Sequence, residues 1–285
     1  MIAVVMYCAY GDESRDGTGK RVYAVSGVFG HESDWKAIRG PWKKRLRGIV
    51  FHAADCQSGE GEFKNLSETE RQGLYRDLVS IFIKSKLIAA SGAIAISEYN
   101  DVFPRDKKFE HAPYLWLFGD IVLEMAQLAS VSIPRQGIKV TFDRNPSIQH
   151  NASLLYDFIR RSPDQRIVRI LDDEVSFATR KTMGIQVADL IARETMMRLD
   201  DELRCIRRVR GSFAALRNSK RFRFHFLRKN DFEGKKKNLA DSPQGNQLSL
   251  ARYDEWTRDN GIQDCQTNRL RFIDAMRAEE QKRIQ

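Results

Sequence analysis

Residues 87–97 (LIAASGAIAIS) run without a charge, and this stretch limits the fold more than any other. A half-exposed strand alternates polar and apolar side chains, whereas a strand apolar throughout belongs in the buried centre of a sheet. Such a sheet needs helices packed on it. Helical patterns flank the run. Ser67 and Glu70 fit a capping box, in which the serine caps the Glu70 amide and the glutamate reaches back; the helix it opens runs to about residue 85. Tyr114, Phe118, Ile121, Met125 and Leu128 recur at spacings of three and four, the mark of an amphipathic helix.

The N-terminal part supplies more strands. Residues 3–10 and 21–30 read as a hairpin joined across a turn bearing Gly17 and Gly19. Residues 35–46 and 150–161 read as helices, 48–53 as a short extended run, and 136–143 and 166–171 as strands, with a turn at Asn145-Pro146-Ser147. Residues 183–199 read as the last helix of the core. Paired strands followed by alternating strands and helices predict an α/β layer fold with a mixed sheet.

Three aspartates stand where such a fold can use them. Asp12 follows the first strand, Asp143 ends the strand Val140-Thr141-Phe142-Asp143, and Asp189 lies in the apolar helix Gly184-Ile185-Gln186-Val187-Ala188-Asp189-Leu190. A buried aspartate needs a partner. Carboxylates on rigid elements suit hard divalent cations, and phosphoryl transfer needs charge neutralisation and positioning more than a reactive side chain. Asp12, Asp143 and Asp189 are therefore the candidate catalytic ligands of one or two Mg²⁺ or Mn²⁺ ions. Aspartate is also common in turns, and Asp143 precedes a turn sequence. Gln186 and Arg193, three before and four after Asp189, share its helix face. Gln186 could touch substrate or equally be a structural hydrogen-bonder, and Arg193 could pair with Asp189 or touch phosphate. Glu13 should point away from Asp12 along a strand. His52 and Asp55 could orient water or phosphate, although a lone histidine after a strand is usually structural.

The net charge of +10 is unevenly spread. Residues 1–200 carry 28 basic and 26 acidic side chains, whereas residues 201–285 carry 20 and 12. The second part is a candidate polyanion surface, with Arg207, Arg208, Arg210, Arg221, Arg223, Lys235, Lys236 and Lys237 as candidate nucleic-acid contacts. Arg221-Phe222-Arg223-Phe224-His225-Phe226 fits either a base-stacking platform or an amphipathic strand that buries its phenylalanines. The expected division is a core over 1–200 and a basic, mainly helical extension over 201–285, with a mobile segment near 229–249. Cys8, Cys56, Cys205 and Cys265 form no Cys-x-x-Cys pair and read as free thiols of a reducing cytoplasm. No apolar run approaches the roughly 18 residues of a membrane span, and a secretory signal is not expected.

Tyr10-Gly11-Asp12-Glu13-Ser14, Phe51-His52-Ala53-Ala54-Asp55 and Gly184-Ile185-Gln186-Val187-Ala188-Asp189-Leu190-Ile191-Ala192 together resemble the opening, middle and closing motifs of a bacterial domain-of-unknown-function family, number thirty-eight hundred in its series. The resemblance covers roughly residues 5–200. It implies a ribonuclease-H-like mixed sheet flanked by helices and metal-dependent nuclease chemistry, often near mobile-element or defence loci. Asp12, Asp143 and Asp189 then take the places of first-strand, mid-sheet and last-helix acids, with Glu13, Ser14 and Arg15 beside them. Arg15 departs from the family's usual glycine; it could bind phosphate or signal a site that has drifted. The expected function is a metal-dependent nuclease acting on RNA or DNA, with protein partners from such a locus. The rival reading is a catalytically degenerate nucleic-acid binder or adaptor.

Overall fold

The computed structural model describes residues 7–103, 112–132, 137–160 and 170–234. Strands β1 (Tyr7–Arg15) and β2 (Val22–His31) form the expected antiparallel hairpin. Asp12 sits inside β1 rather than after it. The strand runs on because Asp12, Glu13, Ser14 and Arg15 pair with Ser26, Val25, Ala24 and Tyr23 of β2. The turn begins at Asp16, whose side chain accepts the amides of Thr18, Arg21 and Val22.

Strands β3 (Ile88–Ala95), β4 (Ile138–Asp143), β5 (Ser176–Ala178) and β6 (Phe222–Leu227) complete one six-stranded sheet in the order β5-β4-β1-β2-β3-β6. Only β2 runs against its neighbours. Leaving β6 aside, the order 3-2-1-4-5 with its second strand reversed is the ribonuclease-H-like arrangement, a mixed sheet flanked by helices. The charge-free run is a central strand, as expected: β3 is buried from Ala89 to Ala95 between β2 and β6.

Helix α1 (Glu32–Leu46), α2 (Ala53–Ser58) and α3 (Glu68–Lys84) lie with the later α7 (Met183–Leu203) and α8 (Gly211–Asn218) around one apolar cluster. The Ser67–Glu70 capping box opens α3. Helix α4 (Ile96–Val102), α5 (Ala112–Ser132) and α6 (Gln149–Arg160) contribute to the other main cluster. Helices α5 and α7 both pack on β2 and β3. Residues 48–52 form no strand. Phe51 instead buries its ring about 6 Å from those of Trp42, Phe63 and Tyr75, and α2 starts two residues later. Most of the strand expected at 166–171 lies outside the described residues; Leu171 forms a single bridge to Ile138.

The aromatic-basic run takes the amphipathic-strand form. In β6, Phe222 and Phe224 stack with each other and meet Phe213 of α8 edge-on. Residues 229–234 are described, and there Phe232 is fully buried against Tyr99, Phe103 and Trp116. Lys235, Lys236, Lys237 and the helices expected over 250–285 lie outside the described residues. Cys8, Cys56 and Cys205 are free thiols, and Cys265 lies outside that range. Among the described residues no helix is long and apolar enough to cross a membrane.

Candidate functional site

Strand periodicity places the acids. Tyr10 pairs with Thr141 and Gly11 with Phe142, so the next step along both parallel strands sets Asp12 beside Asp143 on one face. Ser26, opposite Asp12, lies on that face too, and its hydroxyl donates to the Ala188 carbonyl of α7 at 2.6 Å. This bond pins the helix where its next residue, Asp189, turns toward the same end of the sheet. Close approach is possible because α7 carries glycine at 184: a Cβ there would stand 2.2 Å from the Tyr10 ring. Tyr10 cannot retreat easily, because Trp35 packs edge-on against it at 4.8 Å.

Asp12 and Asp189 are each 5% exposed. Among the described residues each accepts one hydrogen bond, from a backbone amide: Glu13 N to Asp12 at 2.7 Å, and Ala53 N to Asp189 at 2.7 Å. The second bond explains the role of Phe51, whose buried ring anchors the chain just before the amide that meets Asp189. Burial pushes the Asp12 carboxyl well above the usual range, and the charges of Asp189, Glu13 and Asp143 push the same way. Burial also raises Asp189, against the opposing pull of His52, the Ala53 amide, Arg180 and Arg193. Asp143 is raised by burial and held back by the Arg144 amide, Arg180 and His52.

The neighbouring residues divide by what already holds them. Glu13 points to the other face, as its place in β1 requires, yet stays near the site: its Oε1 accepts from Asn145 Nδ2 at 3.0 Å, and Asp143 acts on it electrostatically. Ser14 is buried on the Asp12 face. Arg15 lays its guanidinium over the Tyr23 ring, 5.3 Å from the centroid. His52 Nδ1 lies 2.9 Å from Asp55 Oδ2, in an approach not aligned as a hydrogen bond. Gln186 is a strut: it accepts from Trp42 Nε1 at 2.9 Å and donates to the Arg180 carbonyl at 2.9 Å. Arg193 donates to Gln57 Oε1 at 2.8 Å, and to the Arg15 carbonyl at 3.4 Å, rather than to Asp189.

In the basic segment, Arg210 binds the fully buried Glu194 at 3.1 Å, which leaves it poorly placed for phosphate. Arg207, Arg208 and Arg223 are exposed, and Arg221 is half-buried. Sequence reasoning missed Arg180 and Asn145. Asn145 lay in a recognised turn, but nothing in that pattern pointed its amide at Glu13.

The donor set suits a hard divalent cation: buried carboxylate oxygens that repel one another and have no cation hydrogen-bonded to them among the described residues. The side chains do not form a closed cage. Among the described residues no three His, Cys, Asp or Glu groups are gathered tightly enough to enclose a metal. Mg²⁺ keeps several waters and is commonly held by one or two carboxylates plus substrate phosphate, so a closed cage is not a requirement.

No protein-family model and no curated protein matches this chain. Among solved structures it is similar to the crystal structure of Bst-RNase HIII in complex with Mn2+, with 12% identity, a TM-score of 0.41, and coverage of 82% of this chain and 70% of that one. A likeness this distant bears on neither activity nor ligand.

Proposed function

We propose that this chain is a metal-dependent nuclease of the motif-defined family described above, hydrolysing phosphodiester bonds of RNA or DNA in a defence or mobile-element setting. The observation that carries the proposal is the burial of Asp12 and Asp189, from a central strand and the helix packed on it, at the end of the sheet where Asp143 emerges. Mutual repulsion of buried carboxylates is a standing destabilisation unless a cation joins them. Asp12, Asp143 and Asp189 would hold one or two Mg²⁺ or Mn²⁺ ions. A divalent ion bound there would activate water and stabilise the leaving oxygen.

The chain's own groups have separable tasks. The Ala53 and Glu13 amides fix one oxygen each of Asp189 and Asp12, which orients the remaining oxygens. Asn145 holds Glu13 beside the site. His52, with Asp55 against its Nδ1, would hold a water or phosphate oxygen. Exposed Arg207, Arg208 and Arg223 would bind backbone phosphates, with Lys235, Lys236 and Lys237 adding charge.

The test pairs cleavage with thermal stability. Labelled single-stranded, double-stranded and hybrid DNA and RNA are incubated with Mg²⁺, Mn²⁺ or EDTA, comparing wild type with Asp12→Asn. Cutting should require metal and vanish in the variant. Asp12→Asn should also raise the melting temperature of the metal-free protein, by removing one of the repelling buried charges. Full activity in Asp12→Asn overturns the site. Salt-sensitive binding without cutting by wild-type protein overturns the enzyme and supports the binding or adaptor reading.

A further inference from the structure

We propose that Arg180 is the substrate-positioning arginine of this site, closing its guanidinium fork on a backbone phosphate of the polynucleotide. The inference rests on the nuclease reading above. It starts from how firmly the backbone of Arg180 is held and how openly its side chain lies.

Arg180 belongs to the short loop between β5 and α7. The Arg144 amide binds the Ala178 carbonyl at 2.8 Å on one side of it, and the Thr182 amide binds the Thr179 carbonyl at 2.9 Å on the other. The Gln186 side chain donates from Nε2 to the Arg180 carbonyl itself, and Gln186 is in turn fixed by Trp42, which is 1% exposed. The α-carbon therefore has little freedom. The side chain is 54% exposed, with Nε 3.9 Å from Asp143 Oδ2. Charge-assisted N–H···O bonds close at about 2.7–2.9 Å, so the fork faces this carboxylate without being consumed by it.

Three other arginines near the acids are already engaged, whereas Arg144, next to Asp143, is exposed and meets that carboxylate through its backbone amide. Arg193 is bonded to Gln57 and to the Arg15 carbonyl, Arg15 lies over Tyr23, and Arg210 is paired with Glu194. Among the described residues, the contact with Asp143 is the polar contact of the Arg180 side chain. Its charge also favours the ionised forms of Glu13, Asp143 and Asp189. A phosphodiester approaching these carboxylates meets like charge. A planar guanidinium on a fixed backbone offsets that repulsion and matches two phosphate oxygens at once, which an ammonium cannot do.

The experiment measures binding separately from cutting. Fluorescence anisotropy of labelled single-stranded DNA and RNA is followed over a NaCl series in EDTA, for the full chain and for Arg180→Ala, Arg180→Lys and Arg76→Ala on the exposed surface of α3. Loss of one phosphate contact should reduce the slope of log K against log salt by about 0.7, the value for single strands. Arg180→Ala should show that reduction and Arg76→Ala should not. Arg180→Lys should recover the slope with weaker binding. An unchanged slope and affinity in Arg180→Ala, with wild type binding normally, overturns the role of Arg180 and leaves the nuclease reading to the Asp12→Asn comparison. Wild-type protein that neither binds nor cuts any substrate overturns both.

Discussion

Asp16 closes the turn that makes Asp12 and Ser26 strand partners, and its stability contribution can be worked out from its contacts. One carboxylate accepts the Thr18 amide at 3.0 Å, the Arg21 amide at 2.8 Å, the Val22 amide at 3.0 Å and the Thr18 hydroxyl. Arg21 lies 3.9 Å away, while its own fork binds Asp200 of α7 at 2.9 and 3.1 Å. Burial alone would raise the Asp16 pKa, but these donors prevail and bring it from 3.8 to about 2. Holding a carboxyl that far down contributes about 2 kcal/mol to folding at neutral pH. The folded pKa is the lower one, so the contribution is complete above pH 3.8 and is lost as pH falls through about 2. Asp16→Asn removes the charge and keeps the shape. Urea unfolding of both proteins should show the variant less stable by about 2 kcal/mol at pH 7, with the gap closing between pH 4 and pH 2. A gap equally wide at pH 7 and pH 2 would refute the charge-based account. So would no gap at neutral pH.

Two further perturbations probe the layers on either side of the sheet. Gly184→Ala forces a methyl into the Tyr10 ring and should destabilise the protein by about 1–3 kcal/mol in chemical denaturation; a neutral result would mean that α7 need not sit so close. His225 lies 3.7 Å from Asp120 and 3.6 Å from Glu124 of α5. Burial lowers its pKa, but the two carboxylates outweigh burial and lift it from 6.5 to about 9. The folded pKa is the higher one, so its stabilisation is complete below pH 6.5 and lost as pH rises through about 9. The difference in melting temperature between wild type and His225→Asn should be largest near pH 6 and shrink between pH 6.5 and about 9; a pH-independent difference would count against an ion pair there.

How much of this was legible in the sequence depends on whether a residue's role is set by its neighbours in the chain or by residues far from it. The capping box was legible because both partners lie within one turn. The charge-free strand was legible because a strand buried on both faces has no place for a charge, and its one polar side chain, Ser91, is satisfied by the Val25 carbonyl. Asp12, Asp143 and Asp189 stood out because each interrupts an apolar element, and a buried acid needs a reason. The end of β1 was not legible. A polar run after an apolar one reads as a loop, yet Asp12 to Arg15 stay in the ladder through partners on β2, and the turn is fixed by Asp16. Phe51 misled in the opposite sense: its apolar neighbours suggested a strand, whereas the ring serves a cluster drawn from three other segments.

Arg180 shows the limit most plainly. Nothing in Thr179-Arg180-Lys181-Thr182 separates it from any exposed loop cation. Its position follows from a chain of bonds that starts at Trp42 on α1, passes through Gln186 on α7 and ends at its own carbonyl. Gln186 drew attention through its spacing from Asp189, and the two readings open to it were structural bond and substrate contact. It makes the structural bond, but that bond fixes the backbone of an arginine whose exposed side chain lies 3.9 Å from Asp143. A helix that carries one site residue can thus place a second through the first turn of its own structure. Substitutions at Gln186 should therefore be read through the position of Arg180, before any direct contact with substrate is invoked.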